Sequence, residues 1–103
     1  MHPLCKTADL KDGALLECRG PDGGAVVVAC CGGEYFAAEG ECPHQAAPLA
    51  DGEIGEDENG KCTLTCCLHF WTWRLADGAP LEDAEEPLKV YPVKVEDGTV
   101  YLA

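Results

Sequence analysis

Positive charge is scarce in this chain. Seven Lys and Arg stand against 19 Asp and Glu, a formal net charge of −12. Such a chain cannot neutralise a row of phosphates or sit on an anionic bilayer, so neither nucleic acid nor a membrane surface is expected as a partner. Long apolar runs are missing too. The longest, Ala25 to Cys31, falls far below the ~20 residues that span a bilayer. Met1-His2-Pro3-Leu4-Cys5 has neither the basic nor the apolar region of a secretory signal, and a cytoplasmic protein is expected. There is no long amphipathic helical period, no Gly-rich phosphate loop and no convincing Ser/His/Asp set. With 103 residues, one compact domain without catalytic machinery of its own is expected.

Cysteine, by contrast, is abundant, with eight in the chain. In a secreted protein an even count suggests a disulfide framework, but without a signal the expectation is reduced thiols, some of them metal ligands. Strand signals dominate the rest. Ala14 to Arg19 reads as a strand, Pro21-Asp22-Gly23-Gly24 as a turn, and Ala25 to Cys31 as a β-branched strand buried on both faces. Gly32-Gly33 is a two-residue hairpin turn leading into Glu34 to Ala38. Leu88 to Val95 and Thr99 to Leu102 flank a second hairpin turn at Glu96-Asp97-Gly98, with Pro92 marking an edge or bulge. Only Thr7 to Asp12 suggests a short helical turn.

Between these ends, residues 39–87 are rich in Gly, Pro and acids and contain one strand-like piece, Lys61 to Thr65. So long a loop region in a small β domain needs something to organise it. The expected architecture is all-β, with base strands from 1–38 and 88–103 and a loop-rich inserted part at 39–87. The acidic stretch Gly55 to Gly60 reads as a solvated hairpin tip.

Two Cys/His pairs lie in the inserted part, Cys42-Pro43-His44 and Cys66-Cys67-Leu68-His69. Together they offer two thiolates and two imidazoles. A zinc-stabilised Cys2His2 binding module without redox role would use the same four. Zinc modules, however, usually place two cysteines on one knuckle and two histidines on another element. Mixing one of each per loop suits a [2Fe–2S] cluster in which one iron takes both cysteines and the other both histidines. Neutral imidazoles add no charge, so the histidine-bound iron is the easier one to reduce.

Cys42-x-His44 with Cys66-x-x-His69 resembles the Rieske motif. The resemblance continues through Gln45, Pro48-Leu49, Phe70-Trp71-Thr72-Trp73, Asp77-Gly78 and Leu88 to Val95, nearly the whole chain. It is similar to Rieske ferredoxins, in particular the ferredoxin components of bacterial diiron monooxygenases that oxidise toluene and alkenes; the ferredoxin of a ring-hydroxylating dioxygenase is the alternative. The resemblance implies a Rieske fold, an antiparallel sandwich or barrel with an inserted cluster subdomain. It also implies one [2Fe–2S] cluster on Cys42, His44, Cys66 and His69, and a monomer passing single electrons from an NAD(P)H-dependent flavin/iron–sulfur reductase to an oxygenase. The two histidines are expected at an exposed tip. The stretch Glu56 to Lys61 looks like an insertion that lengthens the hairpin between the loops.

High-potential members of the family join their two loops by a disulfide, at positions that here are Ala47 and Leu68, and place a serine where this chain has Trp71. Fewer donors to sulfur and a charge of −12 both disfavour the extra electron. A redox titration is therefore expected to give a midpoint of roughly −150 mV, and a value above zero would refute this argument. Gly78-Ala79-Pro80 falls where the family has a loop covering the cluster, and an ordinary turn is the competing reading. Trp71 and Trp73 are read as shielding, docking or core residues. Cys5, Cys18, Cys30, Cys31, Cys62 and Cys67 are expected to be buried thiols, and His2 an exposed terminal residue.

Overall fold

The computed structural model describes residues 2–42, 48–66, 71–81 and 84–103. Its strands are β1 (His2–Lys6), β2 (Leu15–Arg19), β3 (Ala25–Cys31), β4 (Glu34–Glu39), β5 (Glu53–Glu56), β6 (Cys62–Thr65), β7 (Thr72–Arg74), β8 (Pro80–Leu81), β9 (Val90–Tyr91), β10 (Val93–Glu96) and β11 (Thr99–Leu102). Short 3₁₀ turns occupy Thr7–Asp9 and Leu49–Asp51, and the described residues contain no α-helix. Three antiparallel sheets result, ordered β1-β11-β10, β2-β3-β4-β9 and β5-β6-β7-β8.

The apolar run in β3 explains the layering. Its side chains alternate between faces, and both faces are covered. Val27 and Ala29 join one core with Leu64 and Trp73 of the third sheet, while Val28 and Cys30 join another with Val100 of the first. The second sheet is thus the middle layer, and β3 is buried along nearly its whole length. Gly32 and Gly33 turn the chain with φ of 62° and 80°, left-handed values that glycine adopts without strain. The turn sets a register from Cys31 opposite Glu34 to Val26 opposite Glu39.

Pro92 divides the expected strand Leu88 to Val95 between two sheets. Before it, Tyr91 pairs with Ala37 of the middle sheet; after it, Val93 pairs with Leu102 of the first. Proline has no N–H for a ladder, so the chain changes sheet where the loss costs least. The Pro92 carbonyl still accepts a hydrogen bond from the Ala103 N–H at 3.0 Å.

The structure corrects two expectations here. His2 is half-buried in β1, and its Nε2 hydrogen-bonds the Arg19 carbonyl at 2.9 Å, tying the first sheet to the second. Cys31 and Cys62, expected as thiols, form a disulfide with Cα atoms 6.2 Å apart at a sequence separation of 31. The turn at Gly32-Gly33 leaves the end of β3 beside the start of β6, a proximity that chain spacing does not reveal. Cys18 and Cys30 are buried thiols as expected, while Cys5 is a thiol only half-buried. Burial, followed by the neighbouring Cys5, pushes the Cys18 thiol up to about 11. Cys67 lies outside the described residues.

The acidic hairpin tip forms as expected, with Glu56 opposite Cys62 at its base. The Asp57 carboxylate accepts hydrogen bonds from the Lys61 and Asn59 N–H groups at 2.9 and 2.8 Å and faces Arg74 at 3.5 Å. The Lys61 N–H is the main cause of a pKa held below the ordinary carboxylate value. Burial opposes it, while Asn59 and Arg74 add to the lowering. A depressed folded pKa means that Asp57 stabilises the fold above the unfolded-state pKa, about 4, and that this contribution is lost as pH falls through the folded value. Asp57→Asn is therefore expected to flatten the loss of stability below about pH 4. Urea midpoints of both proteins across the acid range measure the effect.

Candidate metal centre

The first Cys/His loop begins where β4 ends. Gly40 packs against β3, its N–H donating to the Ala25 carbonyl at 3.0 Å and its carbonyl accepting from the Leu49 N–H at 2.9 Å. A β-bridge between Glu41 and Pro48 adds a second closure. The chain therefore leaves at Cys42 and returns at Pro48 over a pinned base, with fully buried Leu49 seated in the core behind it.

The second loop is closed in the same manner. The Cys66 N–H donates to the Trp71 carbonyl at 2.8 Å, and the Thr65 and Thr72 hydroxyls meet at 3.0 Å just outside it. The two closures touch each other at Gly52, where a Cβ would overlap the Thr65 carbonyl oxygen. Gly52→Ala is expected to cost about 1–3 kcal/mol, as overpacking does, and to lower iron content by moving Cys66. Thermal unfolding and iron analysis measure the two effects.

Cys42 is 5% exposed and Cys66 1%, and both belong to the core that contains Leu49, Leu64, Trp71 and Trp73. Uncompensated thiolates are costly in such surroundings, and iron bound there would supply the compensating charge. Their chemistry and placement fit the cysteine side of an iron–sulfur centre. His44 and His69 lie outside the described residues, as do Gln45, Ala47, Leu68 and Phe70. Among the described residues, no group of three or more His, Cys, Asp or Glu side chains is arranged to hold a metal.

Both tryptophans are core. Trp73 is fully buried and Trp71 is 7% exposed; the rings meet edge-on with centroids 6.2 Å apart. Trp73 Nε1 donates to the Glu86 carbonyl at 2.8 Å. This corrects the docking-face reading, because Trp73 of β7 and Trp71 just before it both find cover in the same core. Pro80 opens β8 opposite Trp73, so the Gly78-Ala79-Pro80 segment turns the chain into an edge strand. Sequence reasoning also missed Gly40, Gly52 and the Thr65–Thr72 pair. Their only signal is adjacency to the motif.

Comparison with known proteins agrees with this geometry. The model of the Rieske-like [2Fe-2S] domain family matches residues 1–103. The ferredoxin component of the p-cumate 2,3-dioxygenase system of Pseudomonas putida is 34% identical over 101 residues, covering 96% of this chain and 81% of that protein. The methanesulfonate monooxygenase ferredoxin subunit of Methylosulfonomonas methylovora is 39% identical over 98 residues, covering 92% and 73%. A chain in the solved complex of reduced oxygenase and oxidised ferredoxin of carbazole 1,9a-dioxygenase superposes with a TM-score of 0.84 at 25% identity, covering 98% of this chain and 90% of that one. With a family match along its whole length, two buried thiols at paired loop closures and the same fold, the chain belongs to the Rieske-like [2Fe–2S] domain family, as an electron-transfer ferredoxin holding one cluster.

Proposed function

We propose that this protein carries single electrons to the oxygenase component of a bacterial hydrocarbon monooxygenase, with Cys42 and Cys66 holding one iron and His44 and His69 the other. The observation that carries this reading is the arrival of Cys42 and Cys66 in one apolar core through two separately closed loops that meet at Gly52. When bound, the cluster supplies a store for one electron. The chain's own part is to fix the thiolates, keep water from them with Trp71, Leu49 and Leu64, and present the loops to a partner. In this reading 39–87 is the cluster-binding part and 1–38 with 88–103 the base. The family's cluster displaces the zinc alternative.

Glu41, Asp51, Glu53, Glu85 and Glu86 are exposed on segments next to the loops. They favour encounter with basic faces on an oxygenase and on an NAD(P)H-dependent reductase, for a monomer working in the cytoplasm. No helix of the described residues is long and apolar enough to cross a membrane. Steered encounter predicts that electron delivery slows as salt rises, and stopped-flow reduction of the oxygenase across ionic strengths measures it.

Service to a ring-hydroxylating dioxygenase is the second reading, favoured by the relationship to the cumate ferredoxin; the methanesulfonate relative favours monooxygenase service. The test is reconstitution with candidate oxygenases and reductases under ¹⁸O₂. One labelled oxygen in the product supports monooxygenase service, and two support the dioxygenase. No product with any pairing would refute both.

A further inference from the structure

Electron carriage leaves the Cys31–Cys62 pair without a role. It joins the last residue of β3 to the first of β6, and so the middle sheet to the sheet that leads into Cys66. Cys42 lies within the segment that this bond closes, and Cys66 follows Cys62 by four residues. Cys31 and Cys62 line a cleft of about 520 Å³ together with Asp12, Glu34, Glu56 and Lys61. Cys31 is buried, whereas Cys62 is only half-buried.

We propose that Cys31–Cys62 is a reversible thiol–disulfide site, opened and closed by small thiols and disulfides that enter this cleft. The incoming thiolate attacks Sγ of Cys62, the less buried residue of the pair. The S–S bond breaks, and Cys31 leaves with the electron pair and takes up a proton. A second small thiol then attacks the small-molecule sulfur of the mixed disulfide, releasing the Cys62 thiol and a small disulfide. Two electrons pass from two small thiols to the cysteine pair, and excess small disulfide drives the reverse. Three carboxylates against one ammonium line the entrance, so a cationic thiol reaches the bond faster than an anionic one. The core of Val27, Ala29, Leu64 and Trp73 still holds the two sheets together when the bond is open.

The test uses the full chain with its cluster, exposed to cysteamine, 2-mercaptoethanol or 2-mercaptoethanesulfonate at equal thiolate concentration. Native alkylation and peptide mapping follow. Labels are expected on Cys31 and Cys62 and not on buried Cys18 or Cys30, with visible absorbance unchanged. Cysteamine should be about tenfold faster than the sulfonate, the gap should narrow in salt, and cystamine should restore the bond. A bond that resists every thiol until the chain is denatured would overturn the proposal, as would equal rates for the three thiols. Cysteines that stay reduced in excess cystamine would overturn it as well. So would labelling that appears only as the absorbance is lost, because the bond would then open through the cluster end and not through the cleft.

Discussion

Cys66→Ala is expected to reduce bound iron and acid-labile sulfide to background and to leave a colourless protein. Cys66 enters the core at the closed base of the second loop, 1% exposed, beside the Leu64 and Trp71 side chains. Apart from Cys42, no other described thiol shares this core: Cys5, Cys18 and Cys30 belong to the opposite core, and Cys62 is bonded to Cys31. Since metal binding contributes to folding, the variant should also unfold at a lower temperature than the wild type. Cys18→Ala is the control that separates loss of a ligand from loss of a buried thiol, and it should keep full iron content. His69→Cys addresses the imidazole side. It should change the visible and EPR spectra of the reduced protein, and an unchanged spectrum would remove His69 from the proposed ligands. Cys66→Ala protein that still bound a full complement of iron would refute the ligand assignment.

Trp73→Ala is expected to destabilise the fold by about 3–5 kcal/mol, the usual cost of deleting a buried aromatic ring. Trp73 is fully buried and packs in the core shared by the middle and third sheets. Domains of this kind are stable by only about 5–15 kcal/mol in total, so the single change removes a large share. Trp73→Phe separates the contributions. It preserves part of the ring packing but leaves the Glu86 carbonyl without its 2.8 Å donor, a loss of about 0.5–1.5 kcal/mol for one hydrogen bond whose acceptor water can reach. Urea unfolding of the cluster-loaded protein measures both. A Trp73→Ala loss below about 1 kcal/mol would mean that the core collapses around the gap far better than large-to-small substitutions usually allow.

Most strands and turns of the chain ends were legible because their cause is local; β1 was not, because its pairing with distant β11 makes it a strand. Ala25 to Cys31 announces a doubly buried strand by composition, Gly32-Gly33 announces its turn, and the structure forms both at those residues. The four proposed ligands were legible for a related reason: a cluster needs its donors at short, repeated spacings, and Cys42-x-His44 and Cys66-x-x-His69 show them directly. Strands β5, β7 and β8 were not legible as strands. They have two to four residues each, too few for a period to emerge, and they exist because neighbours pair with them.

The chain by itself thus determined an acidic all-β protein with two Cys/His loops, since charge, alternation and Cys/His spacing are written along the backbone. Tertiary structure decided what depends on residues distant in sequence. It sent Pro92 from one sheet to another, seated both tryptophans in the core, pressed Gly52 against Thr65, and brought Cys31 to Cys62 across 31 residues. Sulfur atoms bond only when the fold brings them into reach, and no spacing rule along the chain states which cysteines those will be.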